Sequence, residues 1–359
     1  SQLGGGSPMI RGFATNRVLL VVDGVRMNNA IYRSGNLQNI LSLDALSIDD
    51  AEIIFGPGSL IYGSDAIGGV MDFHTLQPKF ATPKNQLVSG NALLRYSSAN
   101  KENTAHFNFN VASSKLSFLT SFTYNNFNDL QMGKNGGDKS YLRNEYVERI
   151  NNADVVLANT SPRVQKFSAY FQKNLLTKLA YQPNKNWLLQ YGFHYSTTGN
   201  TPRYDRLIEY ANNLLRFAEW NYGPQTWLMH NLQLQYTKAS TLYNNVRLTV
   251  AYQDNEESRI DRRRNNNNRR TQTEHVQALS INVDVEKILS TKATIFYGVE
   301  FIDNAIGSFA NTQNINTQVQ TANATRYPNN STWNSYAAYA SYKNNVSKKS
   351  TISAGLRYN

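Results

Sequence analysis

The chain contains 359 residues, carries a formal net charge of +11 and has no cysteine. The lack of cysteine excludes disulfides, zinc–thiolate sites, iron–sulfur clusters and cysteine nucleophiles. No uncharged apolar run reaches the ~18 residues of a membrane-spanning helix, but a transmembrane barrel is still compatible with the composition, because its strands alternate polar and apolar side chains.

The first 77 residues form a glycine-rich segment that contains short apolar runs. The run VLLVV at 18–22 predicts a buried strand, and Asp23-Gly24 after it predicts a turn. The stretch Glu52 to Thr75 packs glycines between apolar residues, which lets the backbone turn tightly. Further short elements are expected at 25–28, 39–47 (a helix) and 51–55 (a strand). This segment therefore reads as a small α+β unit.

From residue 87 onward the pattern changes to long segments in which apolar and polar residues alternate. In one of them, Ala105, Phe107, Phe109 and Val111 share a face opposite His106, Asn108 and Asn110. Alternation of this kind predicts β-strands. Eleven strands are predicted, at 87–97, 103–112, 115–128, 165–182, 186–197, 225–237, 242–257, 272–287, 292–304, 332–343 and 348–358.

The connections between these strands alternate between short and long. Short turns are expected at 113–114, 183–185, 238–241, 288–291 and 344–347. Long loops are expected at 129–164, 198–224, 258–271 and 305–331. Transmembrane barrels have this arrangement, with short periplasmic turns and longer extracellular loops. The sequence thus predicts a mainly β fold: a transmembrane antiparallel barrel (78–359) with a small domain (1–77) inside it.

An odd number of strands does not suit a barrel of this type. The chain opens on SQLGGGSP without a signal peptide and ends on AGLRYN, which reads as the middle of a strand. We therefore expect a fragment: an N-terminally truncated inner domain and about half of a barrel of about 22 strands with a plugged lumen.

Three segments carry a resemblance to a known family: IRGF (10–13), RVLLVVDGVRMN (17–28) and the glycine-rich stretch 52–75. They resemble the plug domain of TonB-dependent outer-membrane receptors. Within that family, residues 7–39 are similar to the plug of the haemoglobin/haem receptor branch. NTPRYDRL (200–207), TRYPNNST (325–332) and AGLRYN (354–359) resemble barrel segments of the same branch.

The resemblance implies active import of haem or iron, from haemoglobin or a similar carrier, across the outer membrane of a Gram-negative bacterium. Haem or a ferric complex would be the transported ligand, with no permanently bound cofactor. TonB would be a partner through a box upstream of the plug that this sequence lacks, and the haem-pocket motifs of the branch would lie beyond residue 359. Outer-membrane lipid, lipopolysaccharide and a surface lipoprotein are further expected partners, and nucleic acid is not. A ferric siderophore or cobalamin receptor, and a surface-binding barrel without transport, are the alternatives.

Two sets of residues are candidates for ligand contact. His106 and His194 fall on lumen-facing positions near the outer ends of their strands, so either could ligate haem iron; an ordinary hydrogen-bonded lumen histidine is the alternative. The expected plug apex, NNAIYRSGN, offers the second set, and a purely structural loop is the alternative there. Its candidate contacts are Asn28, Asn29, Tyr32 and Arg33.

Charged residues suggest structural roles and no catalysis. Arg11 and Glu52 lie in apolar contexts, where buried charges need partners, and are expected to hold the plug. The arginine-rich loop 256–270 either binds acidic groups such as lipopolysaccharide phosphates or is a solvated mobile loop. No HExxH, GxxxxGK[ST] or GxSxG motif is present. The sequence therefore predicts no enzyme and no resident metal.

Overall fold

The structure, a computed structural model, describes residues 6, 8–14, 17–27, 30–31, 40–55, 61–135, 139 and 142–359. Within these ranges, no helix is both long and apolar enough to span a membrane. Two β-sheets make up most of this part of the chain, a small one near the N-terminus and a large antiparallel one. The fold is therefore mainly β, as predicted.

The small sheet belongs to the N-terminal unit, residues 10–75. Its order is β2-β1-β4-β3, with β1 parallel to β4 and antiparallel to β2. All five residues of β1 are buried, which explains its unbroken apolar sequence: a central strand covered on both faces has no polar side to alternate with. The strands are β1 (Val18–Val22), β2 (Val25–Arg26), β3 (Ile48–Ile54) and β4 (Gly69–Thr75).

The helix predicted at 39–47 is wrong. Residues 40–47 form two 3-10 turns, Ile40–Ser42 and Ala45–Ser47, and residue 39 lies outside the described ranges. The side chain of Asp44 caps the second turn by accepting a hydrogen bond from the Leu46 backbone nitrogen at 3.1 Å. Asp44 is thus the N-cap of the second turn, and it separates that turn from the first one. A third 3-10 turn lies at Ser64–Ala66.

The large sheet contains a continuous path of eleven antiparallel strands, β5-β6-β7-β10-β11-β15-β16-β17-β18-β20-β21, with β12 and β19 paired to its side. Two separate hairpins, β8–β9 and β13–β14, and one helical turn, α1, lie in its connections. The bounds are β5 (Leu87–Ser97), β6 (Glu102–Ala112), β7 (Leu116–Phe127), β8 (Glu145–Ile150), β9 (Ala153–Ala158), β10 (Tyr170–Asn184), β11 (Trp187–Thr198), β12 (Thr201–Pro202), α1 (Tyr204–Leu207), β13 (Tyr210–Ala211), β14 (Leu214–Leu215), β15 (Phe217–Thr237), β16 (Asn245–Arg263), β17 (Asn268–Ile288), β18 (Ala293–Asn314), β19 (Gln320–Ala322), β20 (Ser331–Ser347) and β21 (Ser350–Tyr358).

Each of the eleven predicted strands coincides with a strand of this path, but four of the observed strands extend well beyond the predicted ends. β15 to β18 contain 21, 19, 21 and 22 residues. The loop predicted at 258–271 is therefore mostly strand, with only residues 264–267 between β16 and β17. A bilayer needs ~9–11 strand residues, so these four strands reach far past the thickness of a membrane.

Burial on the large sheet is the reverse of that in a soluble protein. On β6, His106 is 6% and Asn110 4% exposed, while Phe107 is 45% and Val111 43% exposed. The polar residues of this strand thus face the inside and the apolar residues face outward, as in a membrane barrel. Within the described ranges, β5 and β21 are the two edges of the path and are not paired with each other.

The N-terminal unit packs against the inner face of the large sheet. Val18, Leu20 and Val22 of β1 share a buried cluster with Trp227 and Met229 of β15 and with Ala251 of β16. The odd-numbered residues of this part of β15 therefore face the unit, and the intervening ones face outward. This contact places the small sheet inside the curve of the large one.

Candidate functional site

Asp23, in the turn between β1 and β2, is the centre of a buried polar cluster that joins the N-terminal unit to the sheet. Its Oδ2 lies 2.9 Å from Lys178 Nζ on β10 and 3.3 Å from His194 Nε2 on β11. Thr75, at the end of β4, donates its backbone N–H to Oδ1 at 3.0 Å and its hydroxyl to Oδ2 at 2.6 Å. The carboxylate therefore has partners both in the N-terminal unit and on the large sheet.

The backbone of the same turn is also held by the sheet. Asn231 and Gln233 of β15 donate side-chain hydrogen bonds to the Asp23 carbonyl at 3.1 and 2.6 Å. Burial raises the pKa of the Asp23 carboxyl, but the Lys178 ammonium and His194 outweigh burial and hold this pKa below its usual range. Asp23 is thus a carboxylate at neutral pH. Lys178 balances its charge only while the N-terminal unit stays docked on the large sheet.

Arg26, on β2, forms a second link to the sheet. Its Nε lies 3.0 Å from Glu300 Oε2 on β18, and its Nη1 lies 3.6 Å from Asp65 of its own unit. The other oxygen of Glu300 accepts from Arg357 of β21 at 2.6 Å, and Arg357 also donates to the Ile61 carbonyl. One turn thus joins the unit to opposite parts of the sheet, through Asp23 and Arg26.

Asp44 forms a third link, to the β6–β7 part of the sheet. Its Oδ2 accepts hydroxyl hydrogen bonds from Ser47 and from Thr123 of β7, each at 2.6 Å. Since Thr123 gives its proton to Asp44, it accepts from His106 Nδ1 at 2.7 Å, and His106 Nε2 accepts from Asn108 at 3.0 Å. Ser121 of β7 adds a hydroxyl contact to Ser47, at 2.9 Å.

These contacts decide what the two candidate histidines do. Both ring nitrogens of His106 form hydrogen bonds to side chains of the large sheet, Thr123 and Asn108. His194 directs Nε2 at Asp23, and both histidine side chains are almost fully buried. Within the described residues His194 Nε2 forms no hydrogen bond, and Asp23 Oδ2 lies 3.3 Å away from it. Both histidines lie at contacts between the N-terminal unit and the large sheet, and a role as haem ligands stays a prediction.

The other sequence candidates are placed as follows. Asn28, Asn29, Tyr32 and Arg33 lie outside the described residues. Arg11 and Glu52 are exposed, so burial does not force them to find partners, contrary to the expectation. The Arg11 guanidinium lies over the Phe55 ring, 4.2 Å from its centroid. A structural role for these two charges stays a prediction.

Most of the arginine-rich segment 256–270 is strand, and several of its arginines pair with carboxylates. Arg262, 2% exposed, binds Asp154 of β9 at 2.7 Å and Glu219 of β15 at 2.8 Å. Arg269 shares Glu219 at 2.8 Å. Carboxylates from β9 and β15 thus neutralise these arginines, and they tie the β8–β9 hairpin to the tips of β15 to β17.

A cavity of about 480 Å³ lies between the N-terminal unit and the large sheet, which forms a wall around it, at the end of the sheet with the short turns. It is lined by Arg26, Tyr62 and Asp72 of the unit and by Asp284, Glu300 and Tyr339 of the wall, among others. Within the described ranges, no group of three or more His, Asp or Glu side chains could hold a metal ion.

The comparisons with known proteins identify the N-terminal unit. Residues 1–70 match the family model described as TonB-dependent Receptor Plug Domain. The described residues of this region pack against the inner face of the large antiparallel sheet. The N-terminal unit is therefore similar to the plug domain of TonB-dependent receptors.

Two relatives match parts of the chain. The Vitamin B12 transporter BtuB of Vibrio vulnificus (strain CMCP6) is 44% identical over 79 residues, 21% of this chain and 12% of BtuB. Heme/hemopexin utilization protein C of Haemophilus influenzae (strain 86-028NP) is 43% identical over 68 residues, 19% of this chain and 9% of the relative. The relatives are transporters and receptors, not enzymes, as predicted for this chain.

Solved structures match over almost the whole chain. Copper transporter OprC has a TM-score of 0.73 at 14% identity, with 98% of this chain and 49% of OprC covered. The siderophore receptor PirA of Acinetobacter baumannii has a TM-score of 0.62 at 15% identity, with 97% and 49% covered. At these identities the likeness concerns the fold. The chain spans about half the length of the structures that it matches.

The sequence analysis missed most of the cluster around Asp23. Asp23 was seen only as a turn residue, and Lys178 was not singled out. One signal was available: Lys178 falls on the face of β10 shared by Asn174 and Ala180, the inner face. A lysine at an inner position of a barrel strand needs a buried partner, and an aspartate in a plug turn can supply it.

Proposed function

We propose that this chain forms the plug domain (1–77) and the first half of the barrel (78–359) of a TonB-dependent receptor that imports haem or haem iron. The complete barrel would contain about 22 strands. The ligand would arrive at the end of the sheet with the long connections. TonB would then act on the plug from the periplasmic side.

The plug meets the sheet through an apolar cluster and also through buried charges, and the buried charges are the observation that carries this proposal. A plug intended as a permanent stopper is better served by apolar packing, because burying ion pairs recovers little net free energy. The Asp23 and Arg26 contacts instead make a docked state that is specific yet separable, since each charge regains water when the bodies part. Such a contact suits a plug that has to move in every transport cycle.

Haem is the cargo that we favour. Support comes from the likeness to a haem utilisation protein and from the sequence resemblance of residues 200–207 to the haem branch. In the structure, these residues form β12 and α1, where the Arg203 guanidinium lies 5.0 Å from the Trp220 ring centroid and 4.9 Å from that of Tyr222. Aromatic rings and cations in the outer wall suit a flat, apolar ligand that bears carboxylates.

Growth and binding measurements test this function. A strain that lacks the receptor should lose growth on haemin as sole iron source, and the full-length gene should restore it in a TonB-positive host only. The purified full-length receptor should shift the Soret band of haemin on binding. Growth restored equally in a TonB-deficient host would refute coupled transport and favour a surface-binding barrel.

A cobalamin or ferric siderophore receptor is the second candidate, since BtuB matches a comparable length of chain at a similar identity. Cyanocobalamin uptake and growth on ferric siderophores, measured in the same strains, separate these cargoes. Receptor-dependent uptake of either one, with no dependence on haemin, would replace haem in the proposal. Lipopolysaccharide and a surface lipoprotein stay proposed partners of the outer rim.

A further inference from the structure

Arg259, on β16, has hydrogen-bonding capacity that its surroundings do not use. It lies opposite Tyr222 of β15, and its guanidinium carbon is 5.9 Å from the Tyr222 ring centroid. Its Nε and Nη2 atoms are buried and have no hydrogen-bond partner in the described part of the chain. A buried charged donor without an acceptor is costly, so a ligand that brings an acceptor would be stabilised here.

The identity of the two unused nitrogens indicates the kind of acceptor. Nε and Nη2 form one edge of the guanidinium plane, and their N–H bonds point in nearly the same direction. This edge matches the two oxygens of a carboxylate, which arginine binds through two parallel hydrogen bonds. A single hydroxyl or carbonyl would use only half of it.

Neighbouring carboxylates do not fill this edge: neither Glu257 nor Glu274 hydrogen-bonds to Nε or Nη2 of Arg259. Glu257 and Glu274 interact electrostatically with Arg259. Their hydrogen bonds go to Arg326, whose Nη1 lies 3.0 Å from Glu274 Oε2 and 3.4 Å from Glu257 Oε1. Arg326 engages one oxygen of Glu274, whose Oε1 is buried and has no hydrogen-bond partner within the described residues. The Nε–Nη2 edge of Arg259 is thus left without an acceptor.

The position of Arg259 is suited to meeting a ligand from outside. The plug residue Ile31 packs against Val276 and Ile306 of the wall. Val276 is the register partner of Asn255, and Arg259 follows Asn255 by four residues, or about 13 Å along an extended strand. Arg259 therefore lies outward of the plug contact, toward the long connections.

We propose that Arg259 is an anion subsite that receives a carboxylate of the transported ligand, with Tyr222 as the adjoining aromatic wall. The inference rests on the proposed function, because haem carries two propionate carboxylates. It goes further by naming the residue that recognises them.

Titration of the purified full-length receptor with haemin and with haemin dimethyl ester, which has no free carboxylate, tests the subsite. Arg259→Gln should weaken haemin binding about 10- to 100-fold, the worth of a charged hydrogen-bonded contact, and leave ester binding unchanged. Arg259→Lys should keep the positive charge but lose the two parallel N–H donors. Its affinity for haemin should therefore lie between those of Arg259→Gln and the wild type. Arg270→Gln is the matched control: it removes a half-exposed arginine of the neighbouring strand that pairs with Asp261 at 2.8 Å.

Two results would overturn the subsite while leaving the haem function intact. One is an Arg259→Gln receptor that binds haemin as tightly as wild type, which would mean that solvent alone satisfies the two parallel N–H donors. The other is an equal loss for both probes, which would indicate a folding defect or a purely apolar contact. If the wild-type receptor binds neither probe, the proposed haem function fails, and this inference fails with it.

Discussion

Asp23 and Lys178 form an ion pair that is almost completely shielded from water: their side chains are 3% and 1% exposed, and Nζ lies 2.9 Å from Oδ2. The aspartate belongs to the plug and the lysine to barrel strand β10. Because each charge would be stranded without the other, the pair makes plug docking specific. We expect it to control both the stability of the docked plug and its release.

Removal of Lys178 should destabilise the docked state strongly. Lys178→Met leaves Asp23 buried with His194, Thr75 and Gln77 as its remaining side-chain partners, and breaking a buried pair in this way costs about 3–5 kcal/mol. Thermal unfolding and protease protection of the plug, measured on the full-length receptor, should both decrease. The double variant Asp23→Asn, Lys178→Met should recover part of the loss; a double variant as unstable as the sum of the singles would show that the two residues act independently.

Acid should weaken plug docking through Asp23. Its pKa is depressed in the folded protein, so its stabilising contribution is complete above the unfolded aspartate pKa of about 3.9. The contribution is lost as pH falls toward the lower folded pKa. Wild-type unfolding temperature should therefore decrease below about pH 4 more steeply than that of Asp23→Asn. Parallel pH profiles for the two proteins would contradict the assignment.

Arg262 should hold the outer hairpin in place. Arg262→Met would leave Asp154, whose side chain is fully buried, and Glu219 without this cation, at a local cost of about 3–5 kcal/mol. The connection between β7 and β10 should then become sensitive to added protease in intact cells. Arg263→Met provides the control, since Arg263 is its exposed neighbour; equal cleavage of both variants would refute the network.

Gly68 should tolerate no side chain. A Cβ built there would lie 2.4 Å from Phe13 Cβ and 2.8 Å from the Arg17 carbonyl oxygen. Gly68→Ala should destabilise the plug by about 1–3 kcal/mol, as overpacking does, seen as a lower unfolding temperature of the full-length receptor. Gly133→Ala, where a Cβ meets nothing within 4 Å, should have little effect. A stable Gly68→Ala protein would show that the Phe13 region can shift.

The strands were predictable because the membrane enforces alternation. A strand whose outer face is apolar and whose inner face is polar alternates the two kinds of residue, and β6 does so along most of its length. The outer extensions of β15 to β18 were not predictable in this way. Above the bilayer both faces meet polar surroundings, so segments such as Arg259 to Arg263 carry no periodic signal and resemble a loop.

The docking cluster escaped prediction for a different reason. Asp23, Lys178 and His194 come from three different elements, and Asp23 and Lys178 are more than 150 residues apart in the sequence. No local motif joins them. His194 was picked out correctly as an inner-face residue, but its partner could not be known without the fold. The short 3-10 turns near Asp44 escaped because a spacing of three fits both an α-helix and isolated turns.

A reversible tether between plug and barrel tests the central claim that import requires the plug to leave its docked position. Ser47 Oγ of the plug lies 2.9 Å from Ser121 Oγ of β7, and the chain has no cysteine of its own. In the Ser47→Cys, Ser121→Cys receptor, oxidation should stop uptake of radiolabelled haemin while surface binding continues, and a reductant should restore uptake. Each single cysteine variant should transport normally. Import at the wild-type rate through a fully oxidised, tethered receptor would contradict the account.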